Sequence, residues 1–214
     1  MIEGVPAVQA VTRRRLLRAG LSATLGVAVA AAGCTSPPAP SPSPDTVGAD
    51  LRRARLAAVL ELGLVSAYDA AVAAAGAGGR LAPAPAAFVS CATAARAHHA
   101  DHAAAWNALL TANRQHPQTV TDVAANSQAL QQISSAQSVS EVATAVLTLE
   151  RVCLQTYVAM VPSITDHSAR RQAIVIAPVE AQHAAVLEFL LGADPVPDTS
   201  IPTTAARGLA DLGG

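Results

Sequence analysis

The chain has 214 residues, of which 51% are hydrophobic, 2% aromatic and 14% charged, and its formal net charge is −1. That length suits one domain with appendages, and a near-neutral balance with no basic stripe inside the domain argues against a nucleic-acid partner. All 14 basic residues are Arg, and the abundance of Ala, the best helix former and a small one, suits closely packed helices.

Residues 1–34 read as an export signal. Thr12-Arg13-Arg14-Arg15-Leu16-Leu17-Arg18 resembles a twin-arginine motif, with Arg13 and Arg14 as the recognition pair, and a weakly apolar run follows over 19–32. Ala31-Ala32-Gly33-Cys34 resembles a lipobox, which makes Cys34 the residue to be lipidated, although Ala31 is a less usual choice at its position. The competing reading is a single membrane-spanning anchor, but the run is short, rich in Gly and Ala, and has Arg18 at its start. Residues 35–48 form a Pro/Ser-rich tether, extended and hydrated. The expectation is a domain held by a lipid anchor at the outer face of the cell membrane.

Residues 49–192 carry helical patterning. A first helix is expected over 49–75, stopped by Gly76-Ala77-Gly78-Gly79. A second begins after Pro83 and Pro85 and runs to about Arg114, with Pro117 beyond it. Residues 115–137 are polar and rich in Gln and Ser, with room for a short helix around 122–132. A third long helix opens on Ser138-Val139-Ser140-Glu141, a capping-box pattern, and ends near Pro162. The fourth spans about 166–192 with Pro178 inside it, where a helix loses a hydrogen bond and bends. Residues 193–214 are a Pro-containing tail. The pattern is all-α: a four-helix bundle with a long crossover between its second and third helices.

Two segments of the bundle repeat. Glu180-Ala181-Gln182-His183 places a carboxylate and an imidazole about 300° and about 4.5 Å apart on one helix face, where both can reach one metal ion. Apolar residues four, seven and eight places after His183 (Leu187, Leu190, Leu191) are matched after His102 by Trp106, Leu109 and Leu110, and His99 stands where the later copy has Glu180. Likewise Glu61 is followed seven residues later by Tyr68, and Glu150 by Tyr157, within similar apolar flanks. Each half thus offers one lone carboxylate and one pair at i, i+3. One Glu from each of two helices with Glu-x-x-His from the other two is the ligand pattern of the di-metal carboxylate bundle.

These motifs, with Val179-Glu180-Ala181-Gln182-His183-Ala184-Ala185, Leu190-Leu191-Gly192 and Pro195-Val196-Pro197-Asp198, resemble the ferritin-like superfamily, and most closely its bacterial exported ferritin-like domain proteins, over roughly residues 50–200. The resemblance implies a metal site of Glu61, His99, His102, Glu150, Glu180 and His183, holding iron or manganese as one ion or two, and redox chemistry with oxygen or peroxide. It also exposes one departure, because the family pattern wants Glu at position 99. Three carboxylates and three imidazoles suit Fe, Mn or Zn, but with fewer carboxylates a pair of ferric ions is less well neutralised.

Several residues keep two readings at this level. Glu61 and Glu150 point inward, because apolar residues at +3 and +4 put them beside the buried stripe, or else they face solvent. His99 is a ligand, or a neutral histidine beside the site. A rival register would pair it with Arg96, whose charge would defeat metal binding. His98 lies about 100° away and is left out. Tyr68 and Tyr157 either donate to ligand carboxylates or are ordinary core residues, and Trp106 reads as packing. Cys91 and Cys153 fall about 16 Å apart along the expected bundle, so they should be two free buried thiols. The alternative function is a metal-free structural or interaction lipoprotein of the cell envelope, for which the histidine at position 99 speaks.

Overall fold

The computed structural model describes residues 44–119 and 124–212. The twin-arginine, lipobox and anchor expectations, with Arg13, Arg14 and Cys34, lie outside the described residues, as does most of the tether. Five α-helices are described: α1 Pro44–Ala75, α2 Ala86–Ala112, α3 Ala124–Ser135, α4 Val139–Met160 and α5 His167–Leu190. Short 3-10 turns follow at Val161–Ser163 and Leu209–Leu212. There are no strands among the described residues.

Helix boundaries follow local chemistry. α1 begins at Pro44, earlier than the expected position 49, because a proline is well placed in a first turn and Asp45 complements the helix dipole there. Ser138 Oγ accepts the backbone N–H of Glu141, while Glu141 Oε2 reaches back to the N–H of Gln137, so the sequence-level capping box forms with its second bond one residue earlier. Asp166 caps α5 by accepting the N–H of Ala169 at 2.7 Å. Leu191 closes α5, and Gly192 follows with φ of 75°, a left-handed position that glycine takes without strain. α5 continues through Pro178.

Two polar clamps fix the topology. Near the start of α1, Asp50 Oδ2 accepts the hydroxyl and backbone N–H of Thr165 and the N–H of Asp166, just ahead of α5. Beyond the end of α1, the Arg80 guanidinium donates to the carbonyls of Ile133 and Ala136, just ahead of α4. The start of α1 therefore meets the end of α4, and its end meets the start of α4, so α1 and α4 are antiparallel. α2, folded back on α1 through a short loop, then runs parallel to α4, and the 113–138 segment is the crossover that makes this geometry. α3 lies in that crossover and packs across α1 and α4. Gly63 admits it: a Cβ at this position would stand 2.0 Å from the side-chain nitrogen of the buried Asn126.

The core is built from small and branched residues of all five helices, with Trp106, Tyr68 and Tyr157 as its largest side chains. The tail packs back on α4, where Gln155 Oε1 accepts the N–H of Ala205 and Thr156 Oγ1 that of Arg207. Cys91 and Cys153 are free thiols. Cys153 is buried, but Cys91 is half-buried and corrects the expectation of two buried thiols, because it sits on the side of the α2 stripe rather than at its centre.

Candidate metal centre

The bundle brings all six residues singled out by spacing to one place midway along its length. α1 contributes Glu61, α2 His99 and His102, α4 Glu150, and α5 Glu180 and His183. Glu61, His99, Glu150 and Glu180 are fully buried, His183 nearly so, and His102 half-buried. Both lone carboxylates face inward. Arg96 does not: it turns away to pair with Asp69 on the surface, Nε to Oδ1 at 2.9 Å, which removes the rival register.

His99 stands at the centre. Its Nδ1 lies 2.7 Å from Glu61 Oε2 and 3.7 Å from Glu180 Oε2, and its Nε2 lies 3.1 Å from Glu150 Oε1. His102 Nδ1 approaches Glu180 Oε1 at 2.9 Å and Glu61 Oε2 at 3.4 Å, and His183 Nδ1 comes within 3.5 Å of Glu150 Oε1. Two overlapping groups result. Glu61, His99, His102 and Glu180 each offer a donor atom within 4.8 Å of the others, and so do His99, Glu150, Glu180 and His183.

Both oxygens of Glu180, Nδ1 of His102, Nδ1 of His183 and Oε2 of Glu150 are buried and make no well-aligned hydrogen bond, His102 Nδ1 and Glu180 Oε1 meeting only as an ion pair. Each orphaned buried polar atom costs about 1–3 kcal/mol, and native folds keep few of them. Here they crowd one space, at mutual distances that a divalent cation bridges, and their mixed N/O chemistry suits Fe, Mn or Zn. The residues present therefore fit a metal ion.

Without a metal, the carboxylates and imidazoles of the centre set one another's charge. Burial opposes the charge on Glu61, but His102 and His99 beside it hold its carboxyl below the usual range. Glu150 is likewise held low, its burial outweighed by His99 and His183. Burial also opposes protonation of His99 and His102, yet Glu150 and Glu180 hold His99 well above its ordinary value, and Glu180 and Glu61 raise His102 to about 9. Glu180 is pushed up to about 8 by burial and by the Glu61 carboxylate. The ionised Glu61 and Glu150 thus face protonated forms of His99 and His102, and Glu180 is the carboxyl of the three on which burial and its neighbours favour a proton.

The tyrosines complete the surround. Tyr157 donates to Glu61 Oε1 at 2.5 Å and accepts the indole N–H of Trp106 at 2.7 Å, while Tyr68 donates to Glu150 Oε1. Trp106 thus both packs and donates. Burial and the neighbouring carboxylates raise both phenols, so they remain donors. Cys153 Sγ lies 3.9 Å from Glu61 Oε1.

One residue set aside at the sequence level belongs here. His98, exposed on α2, reaches sideways so that its Nδ1 lies 2.9 Å from His183 Nε2, with the two rings stacked at 5.2 Å and 13°. Spacing along α2 gives no hint of this contact, since the partner is on another helix.

A family model described as the ferritin-like domain matches residues 49–193. No curated protein and no solved structure matches the chain.

Proposed function

The chain belongs to the ferritin-like domain family, and from that membership we propose that its bundle binds one or two iron or manganese ions for oxygen- or peroxide-linked redox chemistry or metal handling. The observation that carries this reading is the set of unbonded, buried donor atoms on Glu180, His102, His183 and Glu150, lying in two overlapping groups of four residues.

Glu61 and His102 would hold one ion and Glu150 and His183 the other, with Glu180 shared and His99 bordering both. Bound iron or manganese supplies one-electron chemistry towards oxygen or peroxide. The protein's own groups set the conditions for it. Tyr157 holds Oε1 of Glu61, whose Oε2 faces His99 and His102, and Tyr68 holds Oε1 of Glu150, the same oxygen that faces His99 and His183, so the tyrosines fix the orientation of both lone glutamates. The proton kept on Glu180 up to about pH 8 must leave before both of its oxygens can serve as ligands. The buried apolar helix faces around the centre keep bulk water away.

Metal content of the purified domain, followed by anaerobic titration with Fe²⁺ and titration with Mn²⁺, tests the reading. Glu180→Ala should lose the metal while keeping its helical content. Export and lipid anchoring belong to the same proposal and rest on the sequence patterns at Arg13-Arg14 and Ala31–Cys34. Changing both arginines to Lys should leave the precursor inside the cell, and Cys34→Ala should release or mis-process the protein. Normal membrane fractionation of both variants would contradict that part.

A metal-free structural or interaction lipoprotein is the second reading, and His99 favours it. An imidazolium placed between Glu61 and Glu150 can itself stand in for a cation. If the domain takes up no Fe, Mn or Zn under any redox condition, this second reading stands.

A further inference from the structure

We propose that His98 is the positioning residue for His183: it accepts the Nε2–H of that ring and so reserves Nδ1 for a metal ion. The inference rests on the metal-binding reading above and adds to it a residue outside the six ligands.

The two nitrogens of His183 face different surroundings. Nδ1 is buried, unbonded, and 3.5 Å from Glu150 Oε1, inside the group formed with His99, Glu150 and Glu180. An imidazole that binds a cation through Nδ1 carries its proton on Nε2. A ring so nearly buried needs an acceptor for that N–H. His98 Nδ1 stands 2.9 Å from it, in a ring stacked nearly parallel to that of His183. The contact fixes both which nitrogen is protonated and how far the ring can swing. Residues that orient metal-binding histidines in this way change metal affinity about 10–100-fold when removed. His98 is exposed, so replacing it leaves the core packing intact.

The test is Co²⁺ titration of the wild-type domain, His98→Ala and His98→Asn, read by calorimetry and by the visible spectrum of the bound ion. His98→Ala should weaken binding at the Glu150–His183 half about 10–100-fold and alter the spectrum. The Glu61–His102 half should keep its affinity. His98→Asn, whose amide oxygen falls near the place of the imidazole Nδ1, should recover most of the affinity and the wild-type spectrum. Without metal, all three should show the same helical content, and His98→Ala should lower the thermal midpoint only by the loss of that one hydrogen bond. His98→Ala binding like the wild type would overturn this inference and leave the metal reading intact. Equal loss in both variants would make the role one of ring packing and overturn it too. A wild-type domain that binds neither Co²⁺, Mn²⁺ nor Fe²⁺ would overturn the metal reading, and this inference with it.

Discussion

Tyr157 on α4 donates its hydroxyl to Glu61 on α1, across the bundle, and not to the glutamate one face along its own helix. The bond has a mirror image, since Tyr68 on α1 donates to Glu150 on α4. Antiparallel helices account for this crossing: the seven residues after each glutamate run towards the level of the other helix's glutamate, so each tyrosine reaches across and not back. The same seven-residue spacing in both halves is therefore one device used twice.

Removing the Tyr157 hydroxyl should destabilise the fold. In Tyr157→Phe the Trp106 indole N–H loses its acceptor and Glu61 Oε1 loses its donor, all three side chains being buried. The expected cost is about 1–3 kcal/mol, read as a lowered urea midpoint. Tyr68→Phe removes a donor only, and should cost less. Equal stability of Tyr157→Phe and wild type would contradict the assignment.

Much of this centre was legible because helical periodicity is a local property. The spacings Glu61/Tyr68, Glu150/Tyr157, His99/His102 and Glu180/His183 depend on the rise and turn of single helices, and the bundle keeps them. What spacing could not supply is which helix faces which. The tyrosines' partners, the His98–His183 stack and the donation from Trp106 all join residues on different helices. Arg96 was ambiguous for the same reason, because its partner Asp69 lies on α1. The early start of α1 was hidden by Pro44 and the prolines before it, which read as tether although a proline also opens helices well.

Without metal, the domain should become less stable as the pH rises above the acid range. Glu180 has a folded value of about 8 against 4.5, so the folded form holds the extra proton and loses that advantage between the two. His102, raised from 6.5 to about 9, contributes stability that is full below 6.5 and lost as the pH climbs through 9. The lowered carboxyls of Glu61 and Glu150 work in the opposite sense, but their contribution is already complete above 4.5. Thermal midpoints of the metal-free domain should therefore fall from about pH 5 to about pH 9. Saturating metal should flatten or reverse the slope, because protons no longer hold those sites. A metal-free midpoint that rises over this range would contradict the charge arrangement.

Gly63→Ala should destabilise the bundle, although Gly to Ala inside a helix ordinarily gains about 1 kcal/mol. The new methyl would stand 2.0 Å from Asn126 Nδ2 and 2.2 Å from its Cγ, so α3 must lift or Asn126 must be expelled. The double variant with Asn126→Ala should recover stability and approach the ordinary helical gain. Chemical denaturation of the three proteins checks this. A single variant more stable than wild type would mean that α3 does not dock through this contact.

His99→Glu should separate the two roles that position 99 can serve. In the metal-free domain the substitution replaces an imidazolium, placed 2.7 Å from Glu61 and 3.1 Å from Glu150, with a carboxyl beside two carboxylates. Like charges so close in a buried site cannot all ionise, so the new group should hold a proton and the metal-free midpoint should drop. A cation reverses the balance. Four carboxylates and two imidazoles neutralise two divalent ions better than three and three, and a carboxylate can bridge two ions with its two oxygens. His99→Glu should therefore gain more thermal stability on adding Mn²⁺ or Fe²⁺ than the wild type does, and should titrate with a second equivalent that the wild type binds weakly. The pair of measurements decides between the readings. A variant that is less stable in every condition and takes up no metal would identify His99 as the built-in cation of a structural bundle.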